Sequence, residues 1–306
     1  MIARYTYSGL TWVDLESPTR EEVSHILEEF KLPNLVGEEI LTSTLRSKVD
    51  LYDDFIYVIL HFPNVNDDVS KRDGEQEVDF VLGRNFLISV RYELVDPIHQ
   101  FAKLYEKNSL GSSEKFLNHA GYVFMEMMKQ FYKNTFRELE ATGQSIRGIE
   151  DRIFDNNEES MVREISKTSR KLLDFKQALR FHEEVLRSYE TASARFFGEG
   201  YSYYASIITA EFNKVNGLLE SHRDVLAELQ RTNDSLLSTR SNEIMRTFTI
   251  MTFVMIPLTL ITGVFGMNTT GDLIFIRSIS DFFFVIGAMV LVAFVMFLFF
   301  KFRKWL

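Results

Sequence analysis

The run from Asn242 to Asn268, NEIMRTFTIMTFVMIPLTLITGVFGMN, constrains this chain more than any other stretch. No residue between Arg246 and Asp272 carries a formal charge. Its apolar core has about the 20 residues that a helix needs to cross ~30 Å of hydrocarbon, which predicts a membrane-spanning helix over 247–267. Thr249, Thr252, Thr259 and Thr262, with Gly263 and Gly266, stand where a plain lipid anchor would carry Leu and Val. Asn242, Met245, Thr249, Thr252, Ile256, Thr259 and Gly263 advance by threes and fours and share one helical face. A face so rich in small and hydroxylated residues suits a close-packed neighbour or a water-filled path. Alternatively, each Thr hydroxyl bonds its own backbone one turn back, and spacing alone leaves both readings open.

A second apolar span, 282–300, lies between Asp281 and Lys301. The tail 301–306 brings three cations and Trp305, and Arg240 and Arg246 flank the first span. Both flanks therefore read as cytoplasmic, and the connection 268–281 reads as external. Met1-Ile2-Ala3-Arg4 begins no signal-peptide pattern. These features predict a multi-pass protein of the cell (inner) membrane with both termini in the cytoplasm.

Composition removes other classes. A formal net charge of −9 argues against a nucleic-acid partner. The absence of cysteine excludes disulfides and thiolate metal sites. The six histidines, at 25, 61, 99, 119, 182 and 222, are scattered. His182-Glu183-Glu184 lacks the second histidine of a zinc-protease helix, and no Gly-rich phosphate loop precedes a helix. Neither an enzyme nor a cofactor is expected. Asp50, Asp53, Asp54, Asp67, Asp68 and Asp73 are dense enough to attract divalent cations, although such a run is usually a solvated face.

Ahead of the first span the chain reads as mixed α/β over 1–112. Early strands involve Tyr5, Tyr7, Leu10, Trp12 and Val13. Ser17-Pro18 reads as an N-cap and first helical position for a helix to about Phe30, followed by a short helix around 37–44. Strands are expected at 55–62, 77–82 and 86–91, the last two as a hairpin. Antiparallel helices fill 113–200, from Phe116 to about Phe154 and from Glu158 to about Glu190, with a break at Gly198–Gly200. Beyond it Ile208, Phe212, Val215, Leu219, His222, Leu226, Leu229, Asn233 and Leu236 form a heptad-like seam. A helix running unbroken from about 201 to 266 would be on the order of 100 Å long, with 201–246 as a cytosolic stalk.

Asn242-Glu243-Ile244-Met245, Pro257-Leu258-Thr259, Gly263 and Gly266-Met267-Asn268 together resemble the first membrane helix of the CorA family of divalent-cation channels and transporters, whose signature is Gly-Met-Asn. The segments 12–15, 46–55 and 83–90 are similar to strands of that family's cytosolic domain. The resemblance implies a funnel-shaped homopentamer: an α+β cytosolic domain, a long helical stalk and two C-terminal transmembrane helices. It implies transport of Mg2+, with Co2+ and Ni2+, through a pore entered at Gly266, Met267 and Asn268. Asn268 would meet the ion through its hydration shell, and Asn242, Met245, Phe248, Thr249, Thr252, Ile256, Thr259 and Gly263 would line the pore. Met245, Phe248 and Ile256 could close the path by dewetting.

Two departures from the family bear on regulation and entry. Relatives clamp a regulatory metal with a stalk acid, and a gap-free count places Ile207 there, leaving Glu211, Asp50, Asp53 and Asp54 as substitute ligands. The external loop, Thr269-Thr270-Gly271-Asp272-Leu273, offers only Asp272 and Asp281 against Arg277. Two other functions remain open: a zinc transporter like the ZntB branch, which commonly has Phe before Gly-Met-Asn as Phe265 stands here, and a non-transporting membrane sensor.

Overall fold

A computed structural model of the chain describes residues 1–7, 9–44, 46–64, 75–92, 95–109, 119–154, 158–266 and 279–303. The chain divides into two compact units, Met1–Gln230 and Arg231–Leu306. The first is an α+β domain built on one sheet, with strands β1 (Ile2–Tyr7), β2 (Leu10–Glu16), β3 (Lys48–Leu51), β4 (Ile56–Pro63), β5 (Glu75–Leu82) and β6 (Phe86–Arg91) in the order β1-β2-β6-β5-β4-β3. Neighbours are antiparallel except β2 and β6. That parallel pair forces a long crossover, which carries α1 (Arg20–Phe30), α2 (Asn34–Ile40) and the β3–β5 half of the sheet.

All eight residues of β4 are buried, as expected when both faces of a sheet are covered. One face, with Tyr57, Ile59, Val81, Ile88 and Val90, packs on Val23 and Ile26 of α1 and Val36 and Ile40 of α2. The other face meets α3 (Asp96–Ser109) and α4 (Ala120–Ile153): Trp12 lies 5.3 Å from Phe101, Phe62 stacks at 4.3 Å on Phe131, and Phe80 meets Phe124 at 5.1 Å. Aromatic pairs at these distances add to the area they bury.

Several boundaries differ from the sequence-based expectation. The N-cap of α1 is Thr19, not Ser17: the Thr19 hydroxyl accepts from the Glu22 amide while the Glu22 carboxylate accepts from the Thr19 amide, a reciprocal pair that satisfies two amide donors at the helix start. Ser17 instead sits at φ 42° and its hydroxyl donates to the Tyr92 carbonyl. α2 ends at Ile40 because the Ser43 hydroxyl and Thr44 amide are held by Glu77 Oε2, at 3.1 and 2.6 Å. Helix α3 has no counterpart among the sequence expectations.

The helix expected over 158–190 is two helices, α5 (Glu158–Leu179) and α6 (His182–Phe197). The bend falls where His182 turns inward and is wholly buried. Its Nε2–H donates to the His61 carbonyl at 2.7 Å and its Nδ1 accepts from the Tyr132 hydroxyl at 2.9 Å. Burial, its main cause, lowers the His182 pKa to about 4, in keeping with an imidazole that must keep Nδ1 as an acceptor.

Gly198, at φ 99°, ends α6 and leads through a 3-10 turn at Glu199–Tyr201 into α7 (Ser202–Gly266), 65 residues without a break. The expected seam is present: Ile208, Phe212, Val215, Leu219, Leu226 and Leu229 are buried. Two glycines of α4 seat this end of the chain. The Tyr201 hydroxyl donates to the Gly121 carbonyl at 2.6 Å. A Cβ on Gly143 would lie 2.7 Å from the His222 ring, so the His222 side chain of α7 rests directly against the backbone of α4 there. Gly143→Leu should therefore lower the stability of the domain by roughly 1–3 kcal/mol through overpacking, read as a fall in the melting temperature of the full-length protein.

Candidate ion path on the membrane-spanning helices

The described part of the second unit holds the end of α7 and helix α8 (Ile279–Phe302). The most apolar 18-residue windows of the two helices have mean hydropathies of 2.0 and 2.9, and both are long enough to span a bilayer. They meet at Phe253 and Phe300, whose rings lie 6.5 Å apart edge to face. Half-buried residues recur every three or four positions on each helix, at Val254, Pro257, Leu258 and Ile261 of α7 and at Val285, Ala288, Met289, Val292, Ala293 and Met296 of α8. These stripes mark the faces that the helices turn toward each other.

The hydroxyl-bearing face of α7 is a different one. Thr252, Ile256, Thr259 and Gly263, four of the predicted path residues, line one open groove with Met251, Met255, Leu260 and Val264. Asn242, Met245 and Phe248 are exposed, and Thr249 is partly so. Gly266 ends α7, whereas Met267 and Asn268 lie outside the described residues. The uncovered face was legible from the threefold and fourfold spacing. The covering of the opposite face was not singled out, although Val254, Leu258 and Ile261 recur at helical spacing on that side.

The hydroxyls do make the local bonds that spacing left open. Thr249 donates to Met245 O at 2.8 Å, Thr252 to Phe248 O at 2.9 Å, Thr259 to Met255 O at 2.9 Å and Thr262 to Thr259 O at 2.9 Å. This does not remove them as path residues. Each hydroxyl has one proton and two acceptor lone pairs, so using the proton within the helix leaves an oxygen that can only accept. The face therefore presents acceptors and no charge.

The sequence-derived regulatory carboxylates are dispersed. Glu211 pairs with Lys214 at 2.7 Å, Asp50 pairs with Lys48 at 2.6 Å, and Asp53 and Asp54 are exposed. Ile207 is half-buried on α7. Asp67, Asp68 and Asp73 lie outside the described residues. Among the described residues no group of three or more His, Asp or Glu side chains is placed to hold a metal ion.

Comparison with known proteins bears on what such a face does. A family model described as CorA-like Mg2+ transporter protein matches residues 7–304. The cobalt/magnesium transport protein CorA of Thermotoga maritima is 23% identical over 301 residues, covering 97% of this chain and 83% of that protein. The complete structure of the CorA magnesium transporter from Methanocaldococcus jannaschii superposes with a TM-score of 0.83 at 18% identity, over 97% of this chain and 92% of that one. The ZntB cytoplasmic domain from Vibrio parahaemolyticus has a TM-score of 0.62 at 15% identity, over 78% and 90%. An α+β domain, a long helix and two apolar C-terminal helices, matched almost end to end by one family model, place the chain in the CorA family, membrane transporters of divalent metal cations rather than enzymes.

Proposed function

We propose that five copies of the chain surround a path for Mg2+, with Co2+ and Ni2+ as further cargo, lined by the Asn242-to-Gly263 face of α7 and entered at Gly266-Met267-Asn268. The observation that carries this reading is the division of labour on α7: one stripe packs on α8, and the acceptor-bearing stripe is left uncovered. Two spans from one chain cannot enclose a hydrated ion, so the uncovered stripe needs further copies around it.

The chemistry suits Mg2+ that keeps much of its water. The ion dehydrates reluctantly, and its bound waters point their protons outward. A wall of oxygens whose own protons are already engaged accepts those outward bonds. Thr252, Thr259 and the amide oxygens of Asn242 and Asn268 supply such acceptors, while Met245, Phe248 and Ile256 give apolar constrictions that close by dewetting. The basic flanks at Arg246 and Lys301 place both termini in the cytoplasm in this reading.

Ion-resolved uptake into liposomes tests it. Asn268→Ala should abolish selective divalent uptake while the assembly persists. Thr252→Val and Thr259→Val should each reduce flux about two- to tenfold, the equivalent of roughly 0.5–1.5 kcal/mol for one lost hydrogen-bond acceptor. Their melting temperatures should stay close to the parent, because the carbonyls they release remain in the helix ladder. Native mass measurement should give a pentamer, and a stable monomer or dimer would end the pore reading. Uptake confined to Zn2+ would move the chain to the zinc branch, and no uptake of any ion would leave a membrane sensor.

Regulation should depart from that of relatives that clamp a metal through a stalk acid. With Ile207 at that position and Glu211 and Asp50 neutralised by Lys214 and Lys48, internal Mg2+ has little differential affinity for the closed state. Millimolar Mg2+ should therefore protect the assembly only weakly against heat and protease. Strong protection with steep inhibition of flux would reveal a clamp elsewhere.

A further inference from the structure

Where β4 and β5 meet α2 and the chain that follows it, the first unit buries a cluster of ionisable side chains that the ion path does not use. The His61 Nε2–H is 2.8 Å from the Thr44 carbonyl, which can only accept, and 3.3 Å from Glu77 Oε2. Its Nδ1 is 2.9 Å from the Ser47 hydroxyl. Glu77 Oε2 also takes the Ser43 hydroxyl and the Thr44 amide. Asp79, fully buried, takes the Tyr57 hydroxyl on Oδ2 at 2.8 Å. Oε1 of Glu77 and Oδ1 of Asp79 receive no other donor. The two carboxyls lie on one strand face, each with an orphaned buried oxygen, and one proton shared between them would satisfy both.

We propose that His61, Glu77 and Asp79 form a proton-binding regulatory site that clamps Ser43, Thr44 and Ser47 to the sheet when protonated and releases them when the protons leave. With His61 doubly protonated, Nδ1–H donates to Ser47, Nε2–H serves Thr44 and Glu77, and Asp79 supplies the carboxyl proton. Loss of the imidazole proton forces Ser47 to turn from acceptor to donor. Loss of the carboxyl proton leaves two anions side by side. The His61 carbonyl passes the change on, because it is held by His182, whose ring packs 5.8 Å from Phe212 on α7. The last link, from the hold on α7 to the flux, rests on the transport reading above.

The groups facing the cluster agree in sign. Glu39 of α2 and Glu75 of β5 add negative potential, the Lys48 ammonium is neutralised by Glu39 and Asp50, and Tyr57 and Tyr92 stay neutral hydroxyls raised by burial. Burial opposes the His61 cation, yet the Glu77 carboxylate and the Thr44 carbonyl hold its pKa above the ordinary 6.5. Burial and Glu77 push Asp79 well above the carboxylate range. Both groups bind protons more tightly in the folded state. The stability they contribute is fully present below their ordinary values and is lost as pH rises through the folded ones. His182 works in the opposite direction, its contribution being lost as pH falls from 6.5 towards about 4, whereas the imidazole proton of His61 is lost only as pH rises above the ordinary 6.5.

Hydrogen exchange and divalent flux, measured on the full-length protein in liposomes with equal pH on both sides, test the proposal without a proton gradient. Between pH 6 and pH 9 the protection of the Ser43, Thr44 and Ser47 amides, corrected for intrinsic exchange, should fall about tenfold for each unit by which the site's pKa is raised. Protection around Phe212 and the flux should change with it. Asp79→Asn, which keeps the shape and donates from its amide, should weaken the pH dependence of all three by removing the carboxyl step. Exchange and flux that ignore pH in the parent, or that vary as much in Asp79→Asn, overturn the proposal, as does a flux that stays constant while Ser43, Thr44 and Ser47 loosen. Should Asp79→Asn fail to fold, His61→Gln replaces it with the same expectation. Intact pH-dependent exchange with no divalent flux at any pH overturns the transport reading instead.

Discussion

In hydrocarbon every backbone N–H and C=O must find its partner inside the helix, and that constraint sets the form of α7. The same helix that packs its seam in the α+β domain runs on to Gly266 without a break. Pro257 is the one residue inside the span that cannot donate, and it leaves the Phe253 carbonyl without its usual partner. It sits on the stripe turned toward α8, beside the Phe253–Phe300 contact, so the weakened turn lies where a neighbouring helix supports it. The threonines solve a second form of the same problem. A bare hydroxyl in lipid is costly, and bonding it one turn back removes the donor without removing the acceptor.

The two membrane helices and the unbroken stalk were legible because their signals are long and strongly periodic: charge-free runs, a heptad seam from Ile208 to Leu229, and glycines at 198 and 200. Strands β4 to β6 were legible for the same reason. The boundaries that sequence misplaced were all decided by long-range polar bonds. Ser17 has the side chain of a cap, but Tyr92, distant in sequence, takes its hydroxyl and Thr19 caps instead. Nothing in the run 158–190 marks a bend, since Arg180 and Phe181 are ordinary helical residues. The bend exists because His182 reaches the His61 carbonyl on β4. The hydroxylated face could be drawn from spacing, while the state of each hydroxyl proton required coordinates. The dispersal of the candidate regulatory acids had the same cause, because Lys48 and Lys214 claim their carboxylates through local pairs that charge counting does not reveal.

The buried polar groups of the sheet follow one rule, that each is enclosed by partners from several elements. At the parallel β2–β6 pair, Trp12 donates to Ser89, Ser89 donates to Asp14, and Arg91 joins Asp14 to Glu16. A one-residue slip of β6 against β2 would turn Ser89 and Arg91 to the opposite face and leave the Asp14 carboxylate buried and unpaired. The His61–Glu77–Asp79 cluster fixes the other end of the sheet in the same manner, by tying the chain after α2 to β5. Such networks specify register more than they add stability, which suits a sheet whose apolar faces alone would tolerate sliding.

In the proposed path, selectivity without charge in the membrane would follow from the same economy of polar groups. A carboxylate inside the span would bind a divalent cation tightly and be costly to bury before the ion arrived. It would also hold the ion too long for conduction, which needs binding weak enough to release. Neutral acceptors avoid both difficulties, but each contributes little, so many must line one path and be presented together. Three threonines with engaged protons, Thr249, Thr252 and Thr259, lie on one face of an uninterrupted helix whose opposite face is packed, as the proposed path requires. Repetition around an axis would multiply the acceptors without adding a charge, and it would do so only if the uncovered stripe, rather than the stripe packed on α8, faced that axis.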